Sequence, residues 1–330
     1  MTFKYNNVYI NNTSVITGPY EARGPLASYF DKSYNDLYFN AKTWEQAEIK
    51  LMNDAVDLLL QKENKKINDY DLFIAGDLLN QLIVSNFVAS KLSIPFIGLY
   101  NACATSCTSI ITASNMIEAG QVNNVLLATS SHNMAAEKQY RNPTEYGGPK
   151  RKVSTFTTTA GCGLHLSNIK SNIKIEAATL GKVIDMNQKD VFHMGANMAS
   201  SAIDTLLTHL NDLKRKPTHY DLILTGDLGI YGKKILIDYM KEEGYTDLKN
   251  YNDCGTMIYD FNSQKDVLAG GSGSACGPLV LYSYILKQMQ EKKISKVLYI
   301  ATGALMNPST VNQKLSIPSI AHAVSLEVVK

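Results

Sequence analysis

The chain carries two copies of one pattern. Tyr70–Leu78 reads YDLFIAGDL and Tyr220–Leu228 reads YDLILTGDL, six matches in nine positions at a spacing of 150 residues. Ala102-Cys103 recurs 173 residues on as Ala275-Cys276, and Val125-Leu126 with Ala128-Thr129 recurs as Val297-Leu298 with Ala301-Thr302. One such pair is chance, but three in the same order are a duplication. The repeated order is strand, Gly-Asp, helix, small-Ala-Cys, helix, strand with Ala-Thr. It predicts two βαβαβ halves, residues 1–168 and 169–330, each a parallel-rich sheet covered by helices and related by a pseudo-twofold axis. The C-terminal ends of the strands then face the axis, and a site there draws loops from both halves.

Within the first copy, Phe96–Leu99 reads as a short buried strand and Cys107 to about Ala119 as a helix stopped at Gly120. Small residues and Cys103 lie between them. Cys103 is therefore placed at a strand-to-helix turn, beside free backbone N–H groups and the positive end of a helix dipole. Such a setting favours a thiolate and offers donors to an anion. Against that stands the ordinary use of a free cysteine as a small buried hydrophobe, which is the reading for Cys254 and Cys276.

Composition narrows the classes. The chain has 330 residues, 45% of them hydrophobic, enough for a sizeable core. A formal net charge of +2 with no long basic run argues against nucleic acid and against electrostatic membrane binding. Five scattered cysteines without CxxC spacing read as reduced thiols and not as a disulfide framework or zinc site. The opening MTFKYNNVYINN lacks a signal-type apolar core, and no apolar run approaches bilayer length. A soluble protein is expected.

Other elements follow from capping and periodicity. Thr43 and Gln46 form a capping box for a helix from Trp44 to about Lys62, with Ala47, Leu51, Ala55, Leu58 and Leu59 on one face. Val8–Ile16 and Ile320–Val329 read as strands, Ala196–Leu213 and Lys233–Glu243 as helices, and Pro278–Lys292 as one helix. Ser131–Lys152 is a polar stretch of over twenty residues, read as a functional loop carrying His132 and Arg141.

A duplicated α/β half with a cysteine ahead of a central helix resembles the thiolase fold, whose superfamily includes thiolases, ketoacyl synthases and HMG-CoA synthase. Cys103 in ACATS matches the superfamily's nucleophile, and AGGSGSACG at Ala269–Gly277 matches the glycine-rich turn of the second half. Longer motifs are similar to one family of spore-forming bacteria, the stage V sporulation AD proteins. They are GPLxxxFD at Gly24–Asp31, AGDLLNQ at Ala75–Gln81, ATSSHN at Ala128–Asn133, RNPTEYGG at Arg141–Gly148, NDCG at Asn252–Gly255 and SIAH at Ser319–His322. The resemblance implies a layered α/β/α/β/α sandwich and a homodimer. It further implies binding of dipicolinic acid or its calcium chelate during uptake into the developing spore, with release at germination. Partners would be other stage V sporulation A proteins of the spore inner membrane, with which the protein would associate peripherally. No cofactor is implied; calcium would arrive with the ligand.

Claisen-type chemistry needs the thiolate with His or Asn partners. The resemblance puts the ketoacyl-synthase histidine at Gly226 or Asp227 and the thiolase histidine at Gly271, and none of these is histidine. An Asp beside the cysteine opposes the thiolate. His132 and His322 are candidates to refill the site, with Asn252 and Asp253 as ligand contacts. Arg23 and Arg141 are further anion donors, while Asp77, Asp227 and Asp253 could complete the oxygen shell of a ligand-borne calcium. His165, His193, His209 and His219 read as core or surface residues. The leading expectation is a non-catalytic binding protein using Cys103, His132, Asp227, Asn252, Asp253 and His322. The competing ones are an acyltransferase or ketoacyl-synthase-like enzyme with Cys103 as nucleophile, and a scaffold that only docks on membrane partners.

Overall fold

The computed structural model describes residues 1–140, 150–246 and 248–329. The first half contributes strands β1 (Thr2–Lys4), β2 (Tyr9–Thr17), β3 (Lys32–Ser33), β4 (Leu72–Gly76), β5 (Phe96–Gly98), β6 (Asn124–Ser131), β7 (Phe156–Thr157) and β8 (Ala160–Ser167). Its helices are α1 (Trp44–Glu63), α2 (Ile83–Leu92), α3 (Thr105–Glu118) and α4 (Asn133–Tyr140). The second half adds β9 (Ile173–Leu180), β10 (Leu222–Thr225), β11 (Tyr251–Asp253), β12 (Gly271–Ser272), β13 (Lys296–Ala304) and β14 (Ser319–Val328). Its helices are α5 (Met194–Asp212), α6 (Gly229–Glu242), α7 (Cys276–Val280), α8 (Leu286–Gln290) and α9 (Pro308–Asn312).

The main sheet runs β11-β10-β13-β14-β9-β2-β8-β6-β4-β5. Read outward from the middle, each half has the same order: β2-β8-β6-β4-β5 in one and β9-β14-β13-β10-β11 in the other. β4 pairs parallel with β5 and β6, and β10 parallel with β11 and β13, the pattern that right-handed βαβ crossovers produce. The two half-sheets are not separate. They join through Tyr9–Lys174 and Ile10–Ile173 on β2 and β9.

α3 packs on β4 and β6 from one side and on β13 and β14 from the other, so it lies between the half-sheets. α7 is buried beside it, and Ile110, Leu127, Leu279 and Val324 share one core. Each such aliphatic side chain removed from water contributes about 1.5–3 kcal/mol. α1 and α2 cover the outer face of the first half-sheet, α5 and α6 that of the second. Five layers result, α/β/α/β/α.

α1 begins where capping chemistry predicts, with Thr43 accepting from the Gln46 backbone N–H at 3.2 Å. Two expectations change. The stretch after Ser131 is not all loop: Asn133–Tyr140 is helical, started by the His132 ring accepting the Ala135 N–H and sustained by Met-Ala-Ala-Glu-Lys-Gln, all good helix formers. Pro278–Lys292 is not one α-helix either. A π turn at Leu281–Ile285 divides it, opposite β2, where Thr13 donates to the Tyr282 carbonyl at 2.9 Å.

Candidate active site

β4 and β5 end beside the turn that leads into α3, and Cys103 stands on that turn. Ala102 takes a left-handed conformation, φ +48°. The turn is held by Thr105, whose hydroxyl donates to the Ala102 carbonyl at 2.7 Å and accepts the Asn101 N–H at 3.0 Å. Gly303 on β13 lets the turn come close, since a Cβ there would meet the Asn101 carbonyl at 2.7 Å.

Opposite the sulfur lies Asp227, at the end of β10. Its carboxylate accepts from Thr302 Oγ1 at 2.6 Å and from the Gly273 N–H at 3.1 Å, and it meets the Cys103 thiol. Burial pushes Asp227 up to about 7. Burial, and then the Asp227 carboxylate, hold Cys103 well above the ordinary thiol range. The helix-end setting favours a thiolate, yet desolvation and a like charge outweigh it, and the sulfur stays protonated as a donor to Asp227.

A small cavity of about 40 Å³ opens beside Cys103. Leu78, Tyr100, Glu137 and Tyr140 wall it from the first half, and Met194, Ser272, Gly273 and Met306 from the second. The site is therefore shared by both halves, as the repeat requires. Tyr140 donates to the Leu78 carbonyl and its hydroxyl lies 3.2 Å from that of Tyr100. The walls are mostly apolar, with a few hydroxyls and the Glu137 carboxylate among them.

The other predicted residues divide. His322 sits under the cysteine turn but does not line the cavity. Its Nδ1 accepts the Gly181 N–H at 3.1 Å, so Nε2 carries the proton of the neutral ring and donates to the Asn101 side-chain amide at 2.7 Å. The Asn101 oxygen must then face the ring. Burial lowers His322 to about 4, so it is neutral at ordinary pH. His132 is elsewhere: it contacts the Leu37 carbonyl at 2.8 Å and packs between Phe39 and Trp44. It does not line the cavity, and its Nδ1 accepts the Ala135 N–H at the start of α4.

Asp253 holds the backbone. It accepts from the N–H groups of Leu228 (2.8 Å) and Gly229 (3.0 Å) and from Thr225 Oγ1 (2.7 Å), fixing the turn that aims Asp227. Asn252 accepts from Lys233 at 2.7 Å, on the far side of that turn. Neither lines the cavity. Asp77 accepts from Leu79 and Ser85. Arg23 is exposed over the Tyr20 ring, and Arg141 with its RNPTEYGG motif lies outside the described residues. His165 pairs with Glu63 at 2.8 Å, and His209 bridges Thr179 and Tyr220. His193 stands at the start of α5 and His219 in a short turn before β10. Cys254 and Cys276 are buried, and all five cysteines are free. Sequence reasoning missed Tyr100, Tyr140, Glu137 and Ser272. Tyr100 lay at the strand-to-helix turn, and Tyr140 and Glu137 in the stretch read as a functional loop, although Met134–Gln139 holds a helical signal.

Among solved structures, a single-residue variant of OleA from Xanthomonas campestris superposes with a TM-score of 0.68 at 11% identity, covering 98% of both chains. The 3-oxoacyl-[acyl-carrier-protein] synthase III of Aquifex aeolicus does so at 0.60 and 12%, over 97% of this chain and 99% of that one. The fold is thus that of the thiolase-like condensing enzymes, here with an Asp facing the cysteine. Sequence carries it further. Stage V sporulation protein AD of Bacillus subtilis (strain 168) is 46% identical over 320 residues, 97% of this chain and 94% of its own. The model of that family matches residues 1–327, and the chain belongs to the stage V sporulation protein AD family. Among the described residues no helix is long and apolar enough to cross a membrane.

Proposed function

We propose that this sporulation protein binds dipicolinic acid, or its calcium chelate, in the cavity beside Cys103 and performs no acyl transfer. One feature carries the reading: a cavity opens beside Cys103, and burial, then the facing Asp227 carboxylate, hold its thiol well above the ordinary range. A pocket without an activated nucleophile is a binding pocket. The role is uptake of dipicolinate into the developing spore and its release at germination, with other stage V sporulation A proteins at the spore inner membrane. Calcium enters as part of the ligand. Edge strand β5, with Phe87 and Tyr100 exposed near it, supports a homodimer built on that edge.

Calorimetric titration with dipicolinate, with and without calcium, is expected to show one site per chain. No heat of binding in either titration overturns the reading. Intact-mass measurement after exposure to acyl-CoA panels is expected to show no adduct, and acylation of Cys103 refutes the non-catalytic part.

A further inference from the structure

Ser272 ends β12, directly before the Gly273 whose N–H holds Asp227. It lines the cavity, is 1% exposed, and among the described residues its hydroxyl has no hydrogen-bond partner. Its neighbours are different. Ser274 donates to the Ser130 carbonyl, and Ser131 donates to the Thr158 carbonyl at 2.6 Å. Two other donors on the cavity wall are committed, Cys103 to Asp227 and Tyr140 to Leu78. A buried hydroxyl left unpaired lowers stability, and a fold retains one where something else completes it.

We propose that Ser272 is a ligand contact, its hydroxyl donating to a carboxylate oxygen of the acid in the cavity. This rests on the dipicolinate reading above. An ionised carboxylate only accepts, so the proton of the bond comes from Ser272. The serine is thus unsatisfied in the free protein and satisfied in the complex. Removing its Oγ takes nothing from the free fold and one charge-assisted bond from the complex.

The test compares Ser272→Ala with Ser274→Ala, both by thermal melting and by titration with dipicolinate. Ser272→Ala should melt at or above the wild-type temperature and bind dipicolinate roughly tenfold more weakly. Ser274→Ala, which breaks a satisfied bond, should melt lower. If the wild type binds dipicolinate and Ser272→Ala binds it equally well, this inference fails and the dipicolinate reading stands. If Ser272→Ala melts below the wild type, the hydroxyl has a structural partner and the inference fails. If the wild type does not bind, the reading itself fails and takes the inference with it.

Discussion

Asp77 and Asp227 are the same residue of the repeat and do different things. Asp77 turns back on its own half: one oxygen accepts the Leu79 N–H at 3.0 Å and the other the N–H and hydroxyl of Ser85 at 2.9 and 2.6 Å. It organises the entry to α2. In the second half the entry to α6 is organised by Asp253 instead, a residue brought in from β11. That substitution frees Asp227 to point across the pseudo-axis at the cysteine of the other copy. The two cysteines diverge in the same way. Cys103 opens on the cavity, while Cys276 is buried with its thiol on the Gly226 carbonyl at 3.4 Å. Duplication supplies equivalent positions, and the site arises where one copy's structural task is handed to another residue.

The largest effect should come from removing either organiser. Asp253→Ala strips acceptors from two backbone N–H groups and a hydroxyl inside the protein, and Asp77→Ala does likewise. Each should cost about 3 kcal/mol in chemical denaturation. A loss under ~1 kcal/mol for Asp253 would break the comparison, because the turn that aims Asp227 would then be held by something else.

A middle-sized effect concerns the thiol. Asp227→Asn removes the charge that opposes the thiolate, so Cys103 should be alkylated by iodoacetamide about tenfold faster at pH 8, while Cys276, which the same charge opposes, stays unreactive because it is buried. Equal rates in variant and wild type would show that burial alone suppresses the sulfur. The same substitution has a pH signature. Asp227 sits at about 7 when folded against an ordinary 3.8, so the native state holds its proton more tightly than the unfolded chain does. Its contribution therefore turns against folding as pH rises from about 4 to about 7, and is level above that. The melting temperature of Asp227→Asn, relative to wild type, should be higher at pH 8 than at pH 5. A pH-independent difference would mean that Asp227 is ionised throughout.

The smallest effect is on His322. His322→Ala removes a contact to Asn101 behind the cysteine turn and should cost about 1 kcal/mol, while His132→Ala should leave dipicolinate affinity unaltered. Weaker binding in His132→Ala, with wild-type melting, would return that histidine to the site.

Much of this was readable from residues. The repeat contains the two equivalent half-sheets and the cavity they share, because a duplicated βαβαβ unit leaves few ways to close, while the five-layer order and the Asp opposite Cys103 were legible through the family resemblance. Thr43 marks the start of α1 through local chemistry alone. The rest depends on partners distant in the chain. Nothing near His132 announces Leu37, Phe39 and Trp44, and the pull of Asp253 toward Leu228 is set by the parallel register of β10 and β11. The π turn at Leu281–Ile285 answers to Thr13, 269 residues from Tyr282 along the chain. Helical periodicity cannot register such a demand.

The position of α3 has a consequence for how the protein can be divided. One flank of that helix leans on β4 and β6, the other on β13 and β14. Cutting the gene at the middle would therefore not yield two small independent proteins. The first fragment would carry a greasy flank of α3 bare to water and a naked border at β2, and the second would lack the wedge about which it closes. Such pieces should clump when made alone and regain order only when produced side by side.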